Sequence, residues 1–151
     1  MKSEELKQGY IRSAYEIIEE EGIKAISIRR LAKKQGCNSA SLYRCFQNLE
    51  ELLLYVGLYY LKEYLDELKK YENAYDSWEE QFFKMWECFA KYSLANPEIF
   101  DNLFFGQYND KLGYIMKDYY KMFPEEINQF DKELQIVFLS GKLESRNIMI
   151  L

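Results

Sequence analysis

The chain of 151 residues contains no histidine. That absence removes the side chain most often used as a general base near neutral pH, and with it any Ser-His or Cys-His nucleophile. Its three cysteines, Cys37, Cys45 and Cys88, are odd in number and lack CxxC or other metal-ligand spacing, so neither a metal site nor a cofactor is expected. Adjacent carboxylates occur at Glu79-Glu80 and Glu125-Glu126, but sequence neighbours on a helix do not face each other, and no nucleophile stands with a base. An enzyme is not expected. The opening Met-Lys-Ser-Glu-Glu-Leu-Lys has no apolar signal region, and no stretch reaches the roughly 18 apolar residues of a membrane span. A cytoplasmic protein with no membrane partner is therefore the expectation. Only two prolines break the helical patterning, and no internal repeat or low-complexity tract is present. The one run that is β-like in composition, Leu134–Leu139, has no partner strand and reads as buried helix.

What is present is an ordinary amount of hydrophobic residue, 48%, with 30% charged, enough to fold one or two small domains. The net charge of −5 and pI near 5.0 argue against indiscriminate nucleic-acid binding. The charge is unevenly placed, however. Residues 1–50 carry nine Lys/Arg and seven Asp/Glu, whereas 51–151 carry eleven and eighteen. Between Gly22 and Leu49 stand six basic residues, Lys24, Arg29, Arg30, Lys33, Lys34 and Arg44, and no acidic one. A basic stretch on an acidic chain points to a polyanion contact confined to the amino-terminal part.

The spacing in that stretch predicts two short helices joined by a tight turn. Ser27 caps a helix over Ile28–Gln35, Gly36 supplies the left-handed residue that ends it, and Asn38 caps a second helix reaching about Phe46. At about 100° per residue, Leu42 and Phe46 share the side that faces the core. Arg44 and Ala40 lie nearly opposite, flanked by Ser41 and Tyr43, giving a small polar surface with one cation that a major groove accepts. An earlier helix carries Leu6, Tyr10, Ala14, Ile17 and Ile18 at helical spacing up to Gly22-Ile23, completing a three-helix head. A solvated basic face without a partner is the plain alternative, and the turn chemistry weighs against it.

The residues Gly22-Ile23, Ser27-Ile28-Arg29, Leu31-Ala32, Gly36, Ser41-Leu42-Tyr43, Phe46 and Glu51-Leu52-Leu53 together resemble the DNA-binding domain of the tetracycline-repressor (TetR) family over the first third of the chain. The chain departs from the family's usual residues at Cys45, often His, and at Leu49, usually Lys. The resemblance implies an all-α protein: a helix-turn-helix DNA-binding domain over residues 1–48 and a helical regulatory domain over 49–151. It implies double-stranded DNA as partner, with a pseudo-palindromic operator bound by a homodimer. The expected DNA-contacting set is Ser27, Arg29, Arg30, Lys33, Asn38, Ser39, Ala40, Ser41, Tyr43 and Arg44.

Beyond the head, Asn48 with Glu51 starts a long linking helix with Leu52, Leu53, Val56, Tyr60 and Leu68 inward. Ser77 with Glu80 opens another, with Trp78, Phe82, Met85, Trp86 and Phe89 inward, stopping before Asn96-Pro97. Pro97 begins a third that runs to Gly106, and Asn109 caps a fourth that ends at Pro124. Of 26 aromatic residues, 22 lie in 51–151. They are dense enough that core filling alone explains any single one, yet together they suggest an apolar or aromatic ligand. The family resemblance implies an effector pocket here, and the expected lining is Tyr60, Trp78, Phe82, Trp86, Phe89, Phe104, Tyr108, Tyr119 and Tyr120. Family members usually continue through two more long helices that pair subunits. Leu143, Asn147, Ile148 and Leu151 share one helical face, so 142–151 is expected to open such a helix, and the regulatory domain is expected to be incomplete.

The leading expectation is thus a transcriptional regulator, a repressor released by an apolar or aromatic effector. The alternative is a DNA-binding interaction protein whose helical body takes a protein partner. A closed aromatic cavity favours the first and an exposed apolar face the second.

Overall fold

The computed structural model describes residues 2–71, 77–106 and 109–128. Among these, every regular element is helical: α1 (Lys2–Glu21), α2 (Ile28–Lys34), α3 (Ser39–Cys45), α4 (Leu49–Tyr71), α5 (Trp78–Ala95), α6 (Pro97–Phe105) and α7 (Leu112–Met122), with short 3-10 turns between some of them. No helix among them is long and apolar enough to cross a membrane. Four predicted caps form as the sequence indicates. Ser27 accepts from the amide of Arg30 at 3.1 Å and Asn38 from that of Ser41 at 3.2 Å. Asn48 accepts from Glu51 at 2.8 Å and Ser77 from Glu80 at 3.2 Å. Each satisfies an amide that the helix itself leaves unpaired.

α4 is the central element. Its first half is buried nearly all round, through Leu52, Leu54, Tyr55, Val56, Leu58, Tyr60, Leu61, Tyr64 and Leu65. A helix apolar on all sides must be enclosed by its neighbours. α1, α5, α6 and α7 all pack against it. One hydrophobic core therefore runs from Tyr10, Ile11 and Ala14 of α1 through Leu42 and Phe46 to Phe100, Leu103, Ile115 and Tyr119. More of α4 is inward than the expected Leu52, Leu53, Val56, Tyr60 and Leu68, because no residue from Leu52 to Leu61 is exposed.

Two expectations for the later helices need correction. The start of the fourth helix beyond the head is a 3-10 turn over Asn109–Lys111, and α7 begins at Leu112 without a side-chain cap. On α5 the buried side is set by Cys88, with Phe89 and Tyr92 half-buried against Tyr64 of α4. Residues two apart on a helix point to nearly opposite sides. Trp86 is accordingly 43% exposed, and Trp78, at the first turn, is 67% exposed. The Leu134–Leu139 run and residues 142–151 lie outside the described residues.

Candidate nucleic-acid interface

α2 ends in a turn whose geometry is fully determined. The Cys37 amide donates to the Ala32 carbonyl at 2.8 Å and the Gly36 amide to Lys33 at 3.0 Å, the paired closure of a Schellman motif. It requires a left-handed residue, and Gly36 takes φ 68° without the Cβ clash another side chain would meet. α3 then starts at its Asn38 cap. Leu31 and Ala32 of α2 and Leu42 of α3 are buried, and Phe46 closes the far end against Tyr10 and Tyr55, with ring centroids at 6.4 and 5.3 Å. Gln35 stitches α2 to α1 by donating to the Gly9 carbonyl at 3.0 Å and to Ser13.

This packing leaves one side of the pair open. Ser27, Arg29, Lys33, Asn38, Ser39, Ala40, Tyr43 and Arg44 are exposed, Tyr43 to 54%. Among the described residues Arg29, Lys33 and Arg44 make no ion pair. The Cys45 thiol beside them is pushed up by burial, against a smaller opposing pull from Lys7 and Arg44, so it remains protonated.

Two of the expected DNA contacts sit elsewhere. Ser41 is only 3% exposed: its Oγ donates to the Asn38 carbonyl at 2.8 Å and is hydrogen-bonded by the buried hydroxyl of Tyr10. Its task is to fasten α3 to α1. Helical angle alone put it on the flank of the outward surface and gave no sign of a buried phenol on the other side. Arg30 turns back along the head and forms a two-nitrogen pair with Glu21. Their mutual hydrogen bonding raises the arginine and lowers the carboxyl from their ordinary values. Lys34 is likewise paired, with Glu16 at 2.8 Å. The basic stretch thus presents fewer free charges than its composition promises. Ser41→Ala should cost about 1–3 kcal/mol, because it removes the hydrogen-bond partner of a buried phenol. Urea unfolding measures the loss, and an unchanged midpoint would contradict the contact.

The expected effector lining does not form one space among the described residues. Tyr60, Tyr119 and Tyr120 are buried in the core around α4 and α7, where Tyr60 donates to Glu19 at 2.6 Å. Trp78, Phe82, Trp86, Phe89 and Phe104 instead form a row of touching rings along α5 and onto α6, with successive centroids 5.2, 6.2, 5.8 and 5.8 Å apart. Tyr108 lies outside the described residues. Phe89 and Phe104 border an open cleft of about 540 Å³ with Pro97, Phe100 and Phe105. Among the described residues no cluster of Cys, Asp or Glu is arranged to hold a metal ion.

A capped helix, a Schellman turn and a second helix with an open cationic side, braced from behind by a third, define a helix-turn-helix protein. Residues 11–56, the head and the start of α4, match the family described as bacterial regulatory proteins, tetR family. The chain is similar to an HTH-type transcriptional regulator from a bovine strain of Staphylococcus aureus, 26% identical over 108 residues that cover 72% of this chain and 57% of the relative. It is also similar to an HTH-type transcriptional regulator of the COL strain, 25% identical over 119 residues, covering 79% and 63% respectively. The chain thus spans about three-fifths of the length of these relatives. No solved structure matches it at comparable significance.

Proposed function

We propose that the protein is a cytoplasmic transcriptional regulator that binds double-stranded DNA at a pseudo-palindromic operator as a homodimer, and that it represses until an apolar or aromatic effector releases it. The observation that carries the reading is the open side of α3, where Arg44 is exposed and makes no ion pair among the described residues, on a helix whose opposite side is locked into the core. Arg44 is the base-reading residue, suited to guanine O6 and N7. Arg29, Lys33 and the Tyr43 phenol hold phosphates, with the first-turn amides behind Ser27 as further donors. Asn38, Ser39 and Ala40 form the small surface that lets the helix approach the groove. The cleft beside Phe89 and Phe104 has the few hundred Å³ that a small ligand needs, but it is open, whereas the effector half of the reading expects a closed aromatic cavity.

The naming of the relatives as HTH-type transcriptional regulators supports this reading. A second reading, a protein partner on the body, is favoured by the exposure of Trp78, Phe83, Trp86, Leu94 and Phe105, an apolar set larger than scattered surface residues require.

Arg44→Ala should cost about 1–3 kcal/mol on the preferred site and relax preference at one base position. Lys33→Ala should weaken binding on all sequences alike and lower the salt slope by about one. Fluorescence anisotropy titrations on matched and mismatched duplexes at several salt concentrations separate the two. An equal loss for Arg44→Ala on every sequence, or an unchanged slope for Lys33→Ala, would overturn those roles.

A further inference from the structure

The amino-terminal half of α1 meets the end of α7 through polar side chains. Lys7 Nζ lies 2.6 Å from Asp118 Oδ2, and the Tyr55 hydroxyl of α4 donates to the same oxygen at 2.7 Å. Lys7 also donates to that hydroxyl at 3.1 Å, so the three groups close a triangle. The ammonium sits 4.5 Å from the Tyr55 ring centre and 5.2 Å from that of Phe46, which ends α3. Lys7 and Asp118 side chains are only 17% and 26% exposed, and Tyr55 is buried. One residue on, Gln8 donates to the Met122 carbonyl at 2.8 Å, and Arg12 lies 5.5 Å from the Phe123 ring centre. Burial opposes the Asp118 charge, but the hydrogen bonds from Lys7 and Tyr55 and the Lys7 charge outweigh it and hold the carboxyl below its ordinary value. A partly buried ion pair shared with a phenol has one good geometry and tolerates little sliding.

We propose that Lys7, Tyr55 and Asp118 are positioning residues for DNA binding: they lock α1, and with it the helix-turn-helix, to α7, so that a displacement of α7 turns the head. The triangle holds the ion pair between α1 and α7, and it adjoins Phe46, which fixes the end of α3. An ion pair of this kind has two arrangements, made and broken, which suits it to pass a movement of the body to the head. The inference rests on the reading that the head binds DNA.

Lys7→Met, Asp118→Asn and the double variant test it in the full chain, with residual dipolar couplings of backbone amides reporting the orientation of α1–α3 against α4–α7. In the native protein one alignment fits both groups. In each single variant the head couplings depart from the body's alignment, and affinity for a DNA duplex selected by the native protein falls by about tenfold. The double variant loses no more than either single one, and exchanging the charges with Lys7→Asp and Asp118→Lys recovers part of the loss. Native couplings with native DNA affinity in the variants, or losses that add in the double variant, would overturn the proposal. If the native protein binds no DNA, the regulatory reading fails, while the couplings still decide whether the lock exists. Should either substitution prevent folding, Tyr55→Phe, which removes only the hydroxyl, gives the same two measurements.

Discussion

Phe46→Ala is expected to lower the stability of the whole chain by about 3–5 kcal/mol, the range for truncating a fully buried phenylalanine. The ring is 2% exposed and lies where three helices meet. It ends α3, stands edge-on to Tyr10 of α1 and to Tyr55 of α4, and carries the Lys7 ammonium at 5.2 Å from its centre. Alanine would leave a void lined by rings that are themselves fixed, Tyr10 by Ser41 and Tyr55 by Asp118. Such a site cannot collapse around the gap, which places the cost toward the upper end. Because the core is continuous from α1 to α7, the loss should appear as one cooperative shift. Urea unfolding followed by circular dichroism measures it. A loss under about 1 kcal/mol, or melting of the head alone, would contradict a shared core.

Glu126→Gln is expected to do the reverse and to do so only at higher pH. Glu126 occupies a 3-10 turn between Phe123 and Ile127, both buried, and the turn carries its carboxyl inward with them. It faces Tyr119, yet among the described residues neither the Tyr119 hydroxyl nor Glu126 Oε2 has a partner at full hydrogen-bond geometry. Burial pushes the carboxyl up to about 7; Tyr119 and Lys62 pull it down by less, and Glu125 and Asp66 add to the rise. Between the ordinary value of 4.5 and about 7, the folded protein keeps a proton that the unfolded chain has released. Stability therefore falls as pH rises through that window and levels off above it. Glutamine carries no charge at any pH. The variant should match the native protein near the lower edge of the window and exceed it by about 3 kcal/mol above the upper edge. Paired denaturation curves across the window supply the check, and a gain independent of pH would show that the carboxyl is not the cause.

The head was legible because local chemistry specifies it. Ser27, Gly36 and Asn38 each act within a few residues of themselves, so cap, turn and cap are written in order along the chain, and the outward placement of Arg44 follows from helical angle. What stayed hidden depends on partners far away in sequence. The inward turn of Ser41 is decided by Tyr10, 31 residues earlier, and the withdrawal of Arg30 by Glu21 on another helix. The Lys7–Asp118 pair spans 111 residues and leaves no periodic trace. On α5 the expected inward set, Trp78, Phe82, Met85, Trp86 and Phe89, follows helical spacing, but spacing does not say which edge of an apolar stripe a neighbour covers. Cys88 is buried and Tyr92 meets Tyr64 of α4, whereas Trp86 is exposed. The aromatic excess of the body likewise said that rings would touch, without saying that Tyr60 and Tyr119 would serve the core while Trp78 and Phe82 stacked apart from it.

The central claim, that the open side of α3 reads DNA, is tested most directly by selecting bound duplexes from a random pool with the full chain. The selection belongs at physiological ionic strength, about 0.15 M, where nonspecific phosphate contacts are well screened. The account predicts enrichment of a two-fold motif whose half-sites lie about 34–36 Å apart, or a multiple of that, and loss of one base preference per half-site when Arg44→Ala replaces the native protein. A pool that remains random after selection, or the same motif recovered unchanged with Arg44→Ala, would contradict it.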